Sequence, residues 1–190
     1  MRRLVLVMGV LGGGGLAAGG AIGPAAAAQG FPPPNISKID PAWLRADTAT
    51  KTVEFELIAG LTGYNGALNF NGYRDGELTL TVPLGWTVVM HFKNNDGDLP
   101  HSAEVIPDAR PIPLGPVDPA LERAFTIKLA QGLQAGEEDD IRFVANKAGS
   151  FLIFCAVPGH GAAGMWIRLH VAEGAKAPAL SATKSGGGGG

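Results

Sequence analysis

Cysteine is almost missing from this 190-residue sequence; Cys155 stands alone. No intrachain disulfide can form. A binuclear copper centre bridged by two cysteines, an all-cysteine zinc site and a C-x-x-C redox pair are excluded on count. Charge is scarce too: 15 Lys and Arg face 17 Asp and Glu, for a net charge of −2. A nucleic-acid binder would carry a basic surplus that is not there. Long amphipathic helical patterns and internal repeats are also missing, and only Pro41 to Ala46 could make a helical turn. What the chain has is apolar mass, 46% of its residues, in a length suited to one domain. That composition argues against general disorder.

The N-terminus reads as an address. Arg2 and Arg3 precede an uncharged run from Leu4 to Ala28, which ends in Ala26-Ala27-Ala28. A positive start, an apolar stretch and an A-x-A site are the parts of a secretory signal peptide, here residues 1–28. The competing reading is an N-terminal membrane anchor. Leu4 to Ile22 is close to the ~20 residues that span a bilayer. Gly9, Gly12 to Gly15, Gly19 and Gly20 weaken it as a helix, which favours cleavage. Both readings put the remainder outside the cytoplasm, periplasmic or secreted. A free thiol oxidises there, so a lone Cys155 usually has an occupation. Residues 29–48 read as a proline-containing linker and short lead-in, 49–173 as the domain, and 174–190 as a flexible glycine-rich tail.

The domain has the two-residue period of β-strands. Val53, Phe55 and Leu57 alternate with polar residues, as do Leu78, Leu80 and Val82. The same holds for Trp86, Val88, Met90 and Phe92, for Phe125, Ile127 and Leu129, for Ile141 and Phe143, and for Ile167, Leu169 and Val171. Phe151 to Ala156 is apolar on both faces, which predicts a buried central strand. Seven short strands punctuated by Gly, Pro, Asn and Asp predict an all-β, antiparallel sandwich.

One cluster carries chemistry. Cys155, His160 and Met165 follow the buried strand with the spacing C-x4-H-x4-M. Pro158, Gly159, Gly161 and Gly164 let the intervening loop curl back so that three side chains converge. Two imidazoles and a thiolate in a trigonal set, with a weak axial thioether, suit a copper electron-transfer site. The second imidazole is found by strand parity. His91 and His170 fall on the faces opposite the apolar residues of their strands, whereas His101 follows the turn Asn94 to Pro100, at a loop end where sites are built. Singly, Cys155 and Met165 read as ordinary core and the histidines as turn or surface residues; the joint spacing makes the case for a metal.

These segments resemble the blue-copper cupredoxins and, within them, the sulfocyanin group, with rusticyanin as a near relative. Asn69-Phe70-Asn71-Gly72-Tyr73 with Leu80 to Trp86, Leu99-Pro100-His101-Ser102, and Ala148 to Met165 carry the likeness. The resemblance implies a Greek-key β-sandwich and one copper ion cycling between Cu(I) and Cu(II). It implies equatorial His101, Cys155 and His160 with axial Met165, and a Ser102 that bonds across to the ligand loop. It further implies a one-electron carrier in a respiratory chain, whose partners would be redox proteins such as a cytochrome or a terminal oxidase.

Phe151, Phe154 and Trp166 are expected to exclude water and favour Cu(I). The run Glu137 to Asp140 is expected to be a solvated turn rather than a steering patch for a basic partner. Competing classes fit less well. A thiol hydrolase needs an exposed Cys155, and the end of a buried strand does not supply one. A copper nitrite reductase would need a second domain and more histidines. A copper carrier or storage protein would be richer in Met than this chain, whose four include Met1 and Met8 of the leader. Zinc accepts Cys and His, but Met165 is a poor ligand for it.

Overall fold

The computed structural model describes residues 38–183; the proposed leader and the terminal glycines lie outside the described residues. A single 3-10 turn at Pro41–Trp43 opens the described chain, capped by the Asp40 carboxylate, which accepts from the Ala42 N–H. Nine strands follow among the described residues. They are β1 (Leu44–Asp47), β2 (Thr52–Ala59), β3 (Leu78–Pro83), β4 (Thr87–Asn94), β5 (Glu104–Pro107), β6 (Glu138–Val144), β7 (Gly149–Phe154), β8 (Trp166–Ala172) and β9 (Ala179–Ala182).

They form two sheets, ordered β1-β2-β4-β6 and β5-β7-β8-β3-β9. Both sheets are mixed rather than purely antiparallel, because β2 runs parallel to β4 and β3 parallel to β8. Such parallel neighbours need crossover connections, which is the Greek-key element of the sandwich.

Alternation does the packing. Val53 pairs with Val88, Phe55 with Met90 and Leu57 with Phe92, and all six side chains are buried. Across β4, Val88 faces Phe143 and Met90 faces Ile141; in the other sheet, Leu80 faces Leu169 and Val82 faces Val171. Strand β7 is buried on both faces, as its composition predicted. Phe151, Ile153 and Cys155 join the main core, while Leu152, Phe154 and Ala156 form a second cluster with Ile106 and Trp166 under Ile112 and Leu129.

Three segments depart from the sequence reading. Residues Phe125 to Leu129 form no strand beyond a bridge between Phe125 and Glu104. Their parity is inverted: Phe125 is 40% and Ile127 57% exposed, while Thr126 is buried. Thr126 is clamped to Ala103, donating its N–H to the Ala103 carbonyl at 2.8 Å and accepting the Ala103 N–H on Oγ1 at 3.1 Å. The left-handed backbone of Lys128 (φ 55°) ends the extension. Second, strands β1 and β9 lie outside the expected 49–173 boundary. Short and edge-placed, they lack a buried apolar face, and β9 pairs with β3 where a flexible tail was expected. Third, the acidic run lies mostly in β6, and each of its carboxylates has a partner, a lysine for two of the four. Glu137 bonds Lys128 at 3.0 Å, Glu138 bonds Lys93 at 2.9 Å and Asp140 bonds His91 at 2.7 Å, while Asp139 accepts the Ile127 N–H.

Candidate metal centre

Two loops meet at one end of the sandwich. Strand β7 delivers Cys155 one residue past its end, and His160 lies in the loop from β7 to β8. His101 ends the connection from β4 to β5. Because β5 and β7 are antiparallel, with Glu104 opposite Phe154, the start of β5 is brought beside Cys155.

The Cys155 Sγ lies 3.6 Å from Nδ1 of His160 and 3.9 Å from Nδ1 of His101. The two imidazole centroids are 5.2 Å apart. Both Cys155 and His101 are fully buried, whereas His160 is partly exposed. Met165 is fully buried, and its backbone ties it to both other loop residues. Its N–H donates to the His160 carbonyl at 3.1 Å, and its carbonyl accepts the Cys155 N–H at 3.0 Å. His91 and His170 stay outside this group, on the outer faces of their strands, as parity required.

The loop closes tightly around the candidate ligands. At Gly161 a Cβ would sit 2.5 Å from the Phe154 ring and 3.0 Å from the Cys155 carbonyl, so any side chain there would push the loop off the strand end. The Asn69 to Tyr73 segment explains its own conspicuousness. The Asn71 side chain accepts from the Ile58 N–H and donates to the Glu56 carbonyl, and Asn69 donates to the carbonyls of Thr62 and Tyr64. The turn so stapled then buttresses the ligand loop. Asn65 Nδ2 donates to the Ala163 carbonyl at 2.9 Å, and the Asp75 N–H to the Gly164 carbonyl at 2.9 Å.

Ser102 does what the resemblance implied. Its Oγ accepts the Ala156 N–H at 3.2 Å and donates to the Leu129 carbonyl at 2.8 Å, and its own N–H points to Cys155 Sγ at 3.4 Å. Sequence reasoning passed over Asp96. Its Oδ2 lies 3.0 Å from Nε2 of His101, and it is almost wholly buried. The only trace in the sequence is an aspartate in a turn that leads to a candidate ligand histidine.

The electrostatics suit neutral nitrogen donors and a masked thiol. Burial lowers the basicity of His101 against the pull of Asp96, and burial with the neighbouring His101 lowers that of His160. Both imidazoles keep a free lone pair near neutrality. Burial pushes the Cys155 thiol up to about 11, against hydrogen bonds from the N–H groups of Ser102 and Val157. Burial also acts to raise Asp96, but N–H donors from Asp98, His101 and Leu99 outweigh it and hold the carboxyl below the ordinary range. A wholly buried thiol kept in its protonated form is a poor nucleophile, which weighs against the hydrolase reading. A soft sulfur and two imidazoles, close enough to share one ion, fit copper in both oxidation states.

A two-sheet Greek-key sandwich that gathers one thiol and two imidazoles at a single end has the form of a blue-copper cupredoxin. Solved structures agree on the fold. A histidine-to-methionine variant of rusticyanin matches with a TM-score of 0.52 at 24% identity, covering 64% of this chain and 78% of that one. Reduced rusticyanin matches with a TM-score of 0.50 at 22% identity, covering 69% and 91%. Within the class, residues 41–181 match the sulfocyanin (SoxE) domain, and the chain belongs to that family. Sulfocyanin from Sulfolobus acidocaldarius is 27% identical over 138 residues, 69% of each chain.

Proposed function

We propose that the protein is a mononuclear blue (type 1) copper protein that shuttles one electron between respiratory-chain partners outside the cytoplasm. The observation that carries the reading is the convergence of Cys155 Sγ with Nδ1 of His101 and of His160. The proposed ligands are those three atoms and the Met165 thioether, whose residue is buried and bonded through its backbone to both Cys155 and His160. Copper bound there supplies a one-electron couple between Cu(I) and Cu(II).

The protein's part is to hold the ligands and exclude water. Ser102, Asn65 and Asp75 fix the loops, and the aromatic and apolar neighbours of Cys155 keep the site dry, so little rearrangement accompanies a change of charge. The route out is His160, the only partly exposed member of the set. Beside it lies Leu114, 73% exposed, whose carbonyl accepts the Gly159 N–H at 2.8 Å. Leu114, Pro158 and the small residues Ala162 and Ala163 offer a weakly polar surface suited to brief docking with a cytochrome or a terminal oxidase. The leader-like residues 1–28 support delivery across a membrane.

A copper carrier or storage protein would use the same ligands. Full burial of His101 and Cys155 favours retention of the ion over release. Visible absorption of the protein after one equivalent of Cu(II) tests the reading. An intense blue band that bleaches with ascorbate and disappears in Cys155→Ser is expected. A colourless protein, or one with only weak bands, would overturn it.

A further inference from the structure

We propose that Asp96 is a positioning residue for the copper site: its buried carboxylate keeps the His101 proton on Nε2, which leaves Nδ1 as the donor facing Cys155, and its charge favours the oxidised state. The inference rests on the copper reading above.

The geometry is that of a held pair. Asp96 Oδ2 lies 3.0 Å from Nε2 of His101, and Oδ1 accepts the Asp98 N–H at 2.9 Å. A carboxylate that brings no proton of its own can only accept, so the shared hydrogen belongs to Nε2. The opposite nitrogen, Nδ1, is then unprotonated, 3.9 Å from Sγ.

Both partners sit on fixed backbone. The Asp96 N–H donates to Asn94 Oδ1, and Asn94 Nδ2 donates to the carbonyls of Leu99 and Leu133. His101 and Leu133 exchange backbone hydrogen bonds at 3.0 and 2.7 Å. Gly60 leaves the room: with φ at +64°, it lies where a Cβ would come within 2.6 Å of the Asp96 Cβ.

Orientation alone does not require a charge, since an amide or carbonyl oxygen would hold the same tautomer. Burying a carboxylate is costly. Among the described residues, no Lys or Arg forms an ion pair with Asp96; its one ionic partner is His101. The negative charge is therefore not cancelled locally. It acts on the ligand set through a single imidazole, stabilising the form of the site with the greater positive charge.

The test uses the full chain and Asp96→Asn, which keeps the shape and an acceptor but removes the charge. The variant is expected to stay blue. It is expected to shift the one-electron equilibrium toward Cu(I) about tenfold, a rise in potential of about 59 mV. An unchanged or lowered potential would overturn the charge role. In the metal-free wild type, nitrogen-15 NMR of the imidazoles should place the His101 proton on Nε2. Asp96→Asn should retain that tautomer, and Asp96→Leu should mix it. A proton on Nδ1 in the wild type would overturn the positioning role, whether or not either variant folds. Failure of the wild type to turn blue would refute the copper reading instead, and the metal-free tautomer would still decide the positioning role.

Discussion

Glu104 offers a prediction that does not involve copper. It lies on β5 with no exposed surface; Oε2 accepts a long 3.4 Å bond from the Val117 N–H, and Oε1 has no partner. Burial, with Asp118 nearby adding repulsion, pushes its carboxyl up to about 7 from an ordinary 4.5. The native state therefore holds a proton that the unfolded chain gives up near pH 4.5. Stability from this group is complete below pH 4.5 and is lost as pH rises through the native value near 7. At about 1.4 kcal/mol per pKa unit the ceiling is about 3 kcal/mol, and relaxation of the loop around Val117 brings the expected loss to about 2 kcal/mol. Glu104→Gln is neutral at every pH and should remove the effect. The buried imidazoles of His101 and His160 act in the opposite direction, since their lowered basicity makes stability rise as pH climbs through 6.5. They are common to both proteins and cancel in the difference. Urea unfolding of the metal-free wild type and Glu104→Gln from pH 4.5 to 8 measures it. The variant should gain about 2 kcal/mol on the wild type across that range. Parallel curves would refute the reasoning, because they would mean that Glu104 ionises in the native state as it does in the unfolded chain.

Four further outcomes are expected. Met165→Leu should raise the reduction potential and Met165→Gln should lower it, each by more than the ~59 mV of a tenfold change; voltammetric shifts of the opposite sign would remove Met165 from the axial position. Ser102→Ala strands the Ala156 N–H and the Leu129 carbonyl and should cost about 1–3 kcal/mol in denaturant unfolding. Because the metal-free thiol is protonated and the imidazoles neutral at pH 7.5, Cu(II) binding should release about one proton, read by calorimetry in two buffers of different ionisation enthalpy. Leu114→Asp should slow electron self-exchange on the order of tenfold, seen as reduced NMR line broadening in mixed-valence samples, while the blue band is unchanged.

Much of this protein is legible in one dimension because its information is local. Period-2 runs such as Val53-Phe55-Leu57 need only a pleated backbone and a dry side to become strands, and β7 shows its double burial by having no polar residue from Phe151 to Ala156. The Cys155–His160–Met165 spacing is a property of one loop, and parity on two strands removes His91 and His170. Where the reading failed, long-range contacts had overruled local pattern. Residues Phe125 to Leu129 alternate like a strand, yet Thr126 is drawn inward by its bonds to Ala103 and the apolar residues face water. β9 has too little apolar alternation to declare itself and exists because β3 leaves an edge for it to pair with.

The sequence by itself determined the class of fold and the chemistry of the donor set, since strand period and ligand type belong to individual residues and their spacing. Tertiary structure decided which strands run parallel, which carboxylate faces which histidine, and which of the candidate ligands reaches the surface. Those outcomes depend on how β5, β7 and the turn before His101 are brought together. A carboxylate five residues from a histidine in sequence, such as Asp96, becomes its partner only when the turn between them is closed by bonds to Ala59 and Leu133, far away along the chain.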